Sequence, residues 1–237
     1  MLTVLSYCVL GIFLIGFMGR IIRYARTPAP VKIPTTPAPV TKMGVVWRLL
    51  TEVAFFNSLF KSDKLAWAGG IAFHGALVVV LIRHVRYFVD PLPAFFAPLQ
   101  IIGIVAGLAM AGALGFLFLR RVLFERVRFI SSLADYLILL LLLGIAFSGL
   151  LMDFLLRPNI VAIKSSLLNM WTTVTALPPA TSPGDYMFLM HLMMVGLLLI
   201  IFPFSKLMHA GGIFFSPTRN QVDNPREVRH INPWAEQ

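Results

Sequence analysis

Long apolar runs, separated by short polar connections, set the pattern of this 237-residue chain. A transmembrane helix needs roughly 20 apolar residues to cross the hydrocarbon core of a bilayer. Five runs reach that length, at about Leu2–Ile22, Leu65–Val89, Phe96–Leu119, Phe129–Leu151 and Tyr186–Met208. The pattern therefore predicts an all-α integral membrane protein with five transmembrane helices.

The polar connections and the end of the chain add three further elements. Residues 27–40 contain five prolines and cannot form a helix, so we expect an extended strap there. Residues 44–64 carry apolar positions at helical spacing, which predicts an amphipathic helix at the cytoplasmic interface, either anchored in membrane lipid or docked against a partner. Residues 1–210 then form one five-helix membrane domain, and residues 211–237 form a cytoplasmic tail.

Composition agrees with the membrane prediction and narrows the chemistry. Hydrophobic residues make up 58% of the chain and charged residues 13%, about half the share usual in soluble domains. The chain holds one cysteine, Cys8. This excludes a disulfide framework, a covalent CxxCH haem site, a cysteine zinc site and an iron–sulfur cluster carried by this chain alone. Any metal centre must therefore rely on histidine.

Lysine and arginine are distributed unevenly among the connections. Residues 20–64, 120–128 and 206–237 fall on one side of the membrane and hold sixteen of them, against four on the other side. Because positive residues accumulate on the cytoplasmic side, we expect the N-terminus outside and the C-terminus in the cytoplasm. The net charge of +10 follows from this topology and gives no reason to expect a nucleic-acid partner.

Four of the five histidines lie in the second and fifth apolar runs, as His74, His84, His191 and His209. Ionisable residues inside a membrane are costly, and they usually have functional partners. The two runs are predicted to be antiparallel. Their histidines therefore fall at two depths in the membrane, His84 and His191 on the outer side and His74 and His209 on the cytoplasmic side. Each pair can supply the two axial imidazoles of one haem, so the sequence predicts two b-type haems.

The spacing of these histidines raises one geometric question and leaves two alternatives. In a straight helix the gap from His74 to His84 spans about 15 Å, and that from His191 to His209 about 27 Å. Pro203 lies in the longer gap, where we expect it to kink or bend the helix. A zinc or copper site fits less well, because the two histidines on each helix lie too far apart to converge on one ion. A non-redox anchor or transporter with metal- or proton-binding histidines is the other alternative.

The histidine spacing also carries a family resemblance. The patterns His–x9–His in the second run and His–x17–His in the fifth resemble the haem-ligand pattern of the respiratory nitrate reductase gamma subunit family. The resemblance covers roughly residues 1–210 and includes the five spans with an outside N-terminus. It implies that the ligands pair as depth proposes and that a quinol site lies near the outer haem. Electrons would pass inward to iron–sulfur partners, which makes the chain an electron-transfer subunit of an oxidoreductase complex.

Two segments outside the histidine pattern resemble a narrower group. The stretch Pro203–Trp234 and the segment AFFNSLFKSDK are similar to the membrane cytochrome b of the sulfite-reduction-associated Dsr complex and its Hme and Tmc relatives. This implies menaquinone as the carrier, a cytoplasmic heterodisulfide-reductase-like iron–sulfur subunit, further membrane and periplasmic subunits, dissimilatory sulfur metabolism and the prokaryotic cytoplasmic membrane. The alternative is a cytochrome b anchor of nitrate reductase, formate dehydrogenase or hydrogenase type. His230 in the tail is expected to be solvated or at a partner surface.

Quinol oxidation needs a group near the outer haem that accepts protons. Asp90, Asp185 and Tyr186 lie at the outer ends of the second and fifth runs and are the quinone-site candidates, although ordinary interface residues would look the same. Arg83 and Arg86 lie at the same depth and are candidates for pairing with haem propionates, since arginine binds carboxylates in a bidentate way. Anchoring at the lipid headgroups explains these two arginines equally well.

Overall fold

α-Helices make up most of this protein, whose computed structural model describes residues 2–28, 34, 36–96, 98–169 and 177–223. Within those ranges there are short 3-10 turns besides the α-helices, and no β-strand. In chain order the α-helices are α1 Leu2–Arg26, α2 Lys42–Phe55, α3 Asn57–Ser62, α4 Lys64–His84, α5 Leu99–Leu123, α6 Glu125–Phe129, α7 Leu133–Phe154, α8 Ile160–Asn169, α9 Pro183–Ile201, α10 His209–Gly212 and α11 Pro217–Asn220. The all-α prediction is confirmed.

Five helical segments are long and apolar enough to cross a membrane. They are Val4–Arg26, Lys64–Tyr87, Ile101–Leu123, Leu133–Phe154 and Pro183–Phe204. They correspond to α1, α4, α5, α7 and α9, the second and the last with a following 3-10 turn. The prediction of five spans is confirmed, and the protein is a multi-pass membrane protein. The orientation of its termini stays a prediction.

The chain divides into two units that are each packed internally. Unit 1 contains residues 1–15 and 59–202, and unit 2 contains residues 16–58 and 203–237. In unit 1, α5 packs against both α4 and α7, and α7 packs against α9. Small side chains let helix backbones approach closely in a membrane. The buried cluster at these contacts is accordingly rich in alanine and consists of Ala76, Ala106, Met110, Ala111, Leu114 and Ala146.

The segment 44–64, predicted as one interfacial helix, is divided in the structure. α2 ends where Phe56 adopts the left-handed conformation, with φ 50° and ψ 46°, and α3 begins directly afterwards. The side chain of Glu52 explains the break. Its buried carboxylate accepts hydrogen bonds from the backbone N–H of Ser58, at 3.0 Å, and from the Ser58 hydroxyl, which requires the chain to turn back towards α2.

The fifth span stops being an α-helix well before the predicted Met208. α9 ends at Ile201, residues Phe202–Phe204 form a 3-10 turn, and Ser205 is extended, with φ −119° and ψ 177°. Pro203 has no N–H to donate to the carbonyl four residues earlier, and its ring clashes with that carbonyl in an α-helix. The predicted kink or bend at Pro203 is confirmed, and the α-helix itself ends seven residues before the predicted span boundary at Met208.

Capping boxes fix where α7 and α9 begin. Ser132 with Asp135, and Ser182 with Asp185, exchange side-chain and backbone hydrogen bonds across the first helical turn. These bonds satisfy N–H groups that a helix otherwise leaves without partners. Because the caps and not the apolar runs decide the boundaries, α7 begins later and α9 begins earlier than predicted.

The proline-rich strap and the tail are described only in part. Residues 36–40 contain no helix, and Pro39 accepts a hydrogen bond at 2.8 Å from the backbone N–H of Asp223. Residues 29–33 and residue 35 of the strap lie outside the described part of the chain. The same holds for residues 224–237, which include His230.

Candidate functional site

Unit 1 contains a cavity of about 260 Å³ whose walls come from α4, α5, α7, α8 and α9. His84, at the end of α4, and His191, in α9, both line it. Helices that are far apart in sequence therefore bring one predicted pair of haem ligands to the same space. The rest of the lining is mainly apolar and includes Met110, Leu150, Ile163, Phe188 and Leu192.

The hydrogen bonds of the two rings determine which nitrogen carries the proton. His84 Nδ1 lies 2.7 Å from the backbone oxygen of Val80, and a carbonyl oxygen can only accept. Nδ1 must therefore hold the hydrogen, which leaves the lone pair on Nε2. His191 Nδ1 lies 2.8 Å from Ser148 Oγ, whose own proton points to the backbone oxygen of Ile145 at 3.0 Å. His191 therefore has the same tautomer.

The other two predicted ligands, taken separately, show the same pattern. His74 Nδ1 lies 2.8 Å from the backbone oxygen of Gly70, within α4 of unit 1. His209 Nδ1 lies 2.8 Å from the backbone oxygen of Lys206, within unit 2. Each carbonyl accepts, so Nδ1 carries the proton in both rings. All four histidines thus have the tautomer in which Nε2 can coordinate a metal while Nδ1 is held by the protein.

The residues around the cavity fit a haem with two axial imidazoles. The Nε2 lone pairs come from two different helices, and the walls are apolar. Gly149 lies beside the His191 ring, where a Cβ on this glycine would be 3.6 Å from ring atom Cε1. No group of three or more histidine, cysteine, aspartate or glutamate side chains in the described residues is placed to hold a bare metal ion. A haem needs only one histidine on each face of its ring.

Arg83 lines the same cavity but already has a carboxylate partner. It donates from both terminal nitrogens to Asp153 of α7, at 2.6 and 2.9 Å. The stem of Arg83 crosses α5 at Gly103, where a Cβ would lie only 2.2 Å from Arg83 Cδ, so this position needs glycine unless the arginine moves. The predicted pairing of Arg83 with a propionate therefore competes with an ion pair inside the protein.

Arg86 also lines the cavity, directly after α4. It donates a hydrogen bond to the hydroxyl of Tyr87 at 2.6 Å, and its guanidinium carbon lies 4.8 Å from the centre of that ring. The tyrosine thus holds the arginine by a hydrogen bond and by a cation–π contact. Arg86 and Tyr87 give this end of the cavity a positive charge and a hydroxyl group.

The three predicted quinone-site residues do not line this cavity. Asp185 accepts hydrogen bonds from Ser182 and from the backbone N–H of Asn159, which ties the preceding loop to the start of α9. Asp90 forms an ion pair with Lys164 of α8 at 2.6 Å. Tyr186 is exposed over 63% of its surface. The structure therefore gives both carboxylates partners outside the cavity.

Two residues of the site were missed in the sequence: Asp153, which lines the cavity, and Ser148, which contacts His191. Asp153 lies inside the fourth span, which extends to Phe154 and so beyond the predicted end at Leu151. Ser148 is the one serine of α7 and is only 1% exposed. A hydroxyl inside an apolar run was the available signal for Ser148, but no sequence spacing links it to a histidine 43 positions later.

Known proteins resemble this chain over most of its length. The family described as nitrate reductase gamma subunit matches residues 39–230. A protein of Archaeoglobus fulgidus named "Hdr-like menaquinol oxidoreductase cytochrome b-like subunit" is 36% identical over an alignment that covers 98% of this chain and 82% of that protein. A protein of the same name from Archaeoglobus profundus is 34% identical, with 97% and 81% covered. The chain belongs to the nitrate reductase gamma subunit family.

Proposed function

We propose that this chain is the cytochrome b subunit of a membrane complex that exchanges electrons between menaquinone and a cytoplasmic iron–sulfur subunit. The observation that carries the proposal is the pair His84 and His191, which come from α4 and α9, line one cavity and both present Nε2 as the nitrogen with the lone pair. The name of the two Archaeoglobus relatives supports haem b, menaquinol and heterodisulfide-reductase-like partners.

In this proposal His84 and His191 would hold one haem b through their Nε2 atoms. The bound haem supplies a one-electron carrier. The protein holds both rings by their Nδ1 atoms, so that each Nε2 keeps a fixed direction. The apolar residues of the walls exclude water, while Arg83 and Arg86 place positive charge at the cavity. Arg86 is the better candidate for a propionate, because Asp153 already occupies both terminal nitrogens of Arg83.

A second haem b, between His74 and His209, is the next part of the proposal. It is supported by the predicted depths of the two residues and by the tautomer that each ring adopts. Together with an outside N-terminus, two haems at two depths would carry electrons across the membrane. The relatives' name favours a heterodisulfide-reductase-like iron–sulfur partner, as in the complexes of dissimilatory sulfur metabolism.

The menaquinone site belongs to the same proposal. Asp90, Asp185 and Tyr186 stay the candidates for its polar residues, with the site opening beside the His84 end of the cavity. Asp90 and Asp185 would have to exchange their present partners for a quinol hydroxyl, so Tyr186, which is exposed, is the most accessible of the three. A competing function is the anchor of a nitrate reductase, which the description of the matching family favours. The subunits that copurify with the chain separate the two.

The test is a haem count on the purified complex, combined with histidine variants. The pyridine haemochrome assay should give about two haems b per chain, with reducible absorption bands. His84→Ala and His191→Ala should each remove the same haem, and His74→Ala and His209→Ala should each remove the other. His230→Ala is the matched control and should keep both haems. A complex without b-type bands would refute the function, and loss of different haems from His84→Ala and His191→Ala would refute the pairing.

A further inference from the structure

His191 differs from the other three predicted ligands in the group that holds its Nδ1 atom. His74, His84 and His209 bond to backbone carbonyls of their own segments, three or four residues earlier. His191 instead bonds to the side chain of Ser148, which belongs to a different helix, α7. The backbone cannot be changed by mutation, but this hydroxyl can. The difference therefore identifies one predicted ligand whose support includes a side chain that can be mutated.

The hydrogen bonds of Ser148 fix the direction of this contact. A serine hydroxyl has one proton and two lone pairs. The Ser148 proton is directed at the backbone oxygen of Ile145, at 3.0 Å, so Oγ is an acceptor towards His191 at 2.8 Å. Ser148 is 1% exposed, so water does not compete for either bond. The hydroxyl thus stabilises the proton on Nδ1 and keeps the lone pair on Nε2.

We propose that Ser148 is a positioning residue that holds the His191 imidazole and tunes its donation of electron density to the haem iron. The proposal rests on the function proposed above. Hydrogen bonding to the Nδ1–H group of a ligating histidine raises the basicity of the ligand and fixes the orientation of its ring. A more basic imidazole favours the oxidised iron, so this contact holds the midpoint potential of one haem down.

Removing the hydroxyl should therefore change one haem and leave the other alone. In Ser148→Ala the Nδ1–H group loses its acceptor in a buried place, and the imidazole becomes a weaker donor. The haem ligated by His191 should then shift to a higher midpoint potential. Its low-spin ferric EPR signal should also move, because that signal depends on the relative orientation of the two imidazole planes. Ser148→Thr keeps a hydroxyl that can reach the carbonyl of residue 145 from within a helix, so both quantities should return towards wild type.

The chain offers a matched control at Ser62. Ser62 also directs its hydroxyl at a carbonyl three residues earlier, that of Leu59, but it is exposed and does not line the cavity. Ser62→Ala should leave both haems unchanged. The experiment is a spectral redox titration and an EPR spectrum of each purified complex.

The outcomes separate this proposal from the function on which it rests. A positive shift of one haem in Ser148→Ala, or loss of that haem alone, with recovery in Ser148→Thr, supports the assignment. Unchanged potentials in Ser148→Ala, equal shifts of both haems, or no recovery in Ser148→Thr would overturn the role of Ser148. The proposed function as a cytochrome b subunit would still stand. A wild-type complex without haem would overturn the proposed function itself.

Discussion

His191 lies within the fifth span and His209 lies five residues after its end, and the two rings are held in different ways. Before Pro203 the chain is an uninterrupted α-helix, and His191 is held by Ser148 of the neighbouring α7. After Pro203 the chain passes through a 3-10 turn, an extended residue and a second 3-10 turn, and His209 bonds to the carbonyl of Lys206, three residues earlier. His191 belongs to unit 1 and His209 belongs to unit 2.

The difference shows which interactions hold each histidine ring. The ring at position 191 is fixed by helix packing, so changes in α7 or at the start of α9 should reach it. The ring at position 209 is fixed by the course of its own backbone, so the residues that break the helix should matter most.

The largest effect should come from Pro203→Ala. The variant regains the backbone N–H that Pro203 lacks, so the α-helix can continue past Ile201. The His209 side chain would then point in a different direction. We expect loss of the haem assigned to His209, with the haem at His191 retained, as measured by haem content and redox titration.

Pro183→Ala provides the control for Pro203→Ala. Pro183 occupies the first turn of α9, where a helix tolerates proline and does not need it. This variant should keep both haems. If Pro203→Ala also kept both with unchanged potentials, the backbone break would not be what positions His209.

The sequence predicted the frame of this site better than its details. Five apolar runs were sufficient for the spans, because these follow from helical periodicity and membrane thickness. The common depth predicted for His84 and His191 agrees with their position on one cavity, and their role as haem ligands stays a prediction. The bend at Pro203 followed from the chemistry of one residue. The break at Phe56 could not be predicted from one residue, because it depends on a hydrogen bond between the side chain of Glu52 and the backbone of Ser58. Contacts such as that between Ser148 and His191 depend on helix rotation, which periodicity in a uniformly apolar run does not specify.

The next largest effect should come from Gly184→Ala at the start of α9. A Cβ on Gly184 would lie 2.4 Å from the backbone oxygen of Arg157, and a backbone atom cannot move aside like a flexible side chain. We expect a loss of about 1–3 kcal/mol in the free energy of unfolding, measured in detergent. Gly75→Ala in α4 meets nothing within 4 Å and should be neutral or stabilising. Equal effects of the two variants would contradict the close approach at Gly184.

A smaller loss is expected from Asp153→Asn, which removes one charge of the Arg83 pair. The two side chains are 13% and 26% exposed, so the remaining arginine is largely shielded from water. We expect a destabilisation of about 1–2 kcal/mol, less than for a fully buried pair. Glu125→Gln is the control, because it breaks an exposed ion pair with Arg128. The side chain of Arg128 is 59% exposed and that of Glu125 is 90% exposed, so the change should cost less than about 0.5 kcal/mol. A cost for Asp153→Asn as small as that of the control would show that Arg83 finds another partner.

The smallest effect is a pH dependence in unit 2 that involves Glu52. Burial raises the pKa of Glu52, but the hydrogen bonds from Ser58 and the charge of Arg219 outweigh it, so the pKa lies below its ordinary value of 4.5. Because the folded protein lowers this pKa, the stabilisation is present above the ordinary value and is lost as pH falls through the folded pKa.

Thermal unfolding of wild type and Glu52→Gln at several pH values measures this contribution. Wild type should be more stable at neutral pH, and the difference should shrink as pH falls below about 4.5. Arg219→Gln should reduce the same pH dependence, because Arg219 lies 2.7 Å from the carboxylate. A difference that stays constant with pH would mean that ionised Glu52 does not contribute to stability.

The ion pair between Glu52 and Arg219 also has a consequence for synthesis of the chain. Arg219 reaches Ser58, beside Glu52, across 161 positions of sequence. At roughly 5–20 residues per second, a ribosome takes on the order of ten seconds or more to supply that arginine after α2 has emerged. During translation α2 therefore carries a carboxylate whose charge partner does not yet exist. Unit 2 can close only when nearly the whole protein has been made, so a premature stop before residue 219 leaves it open.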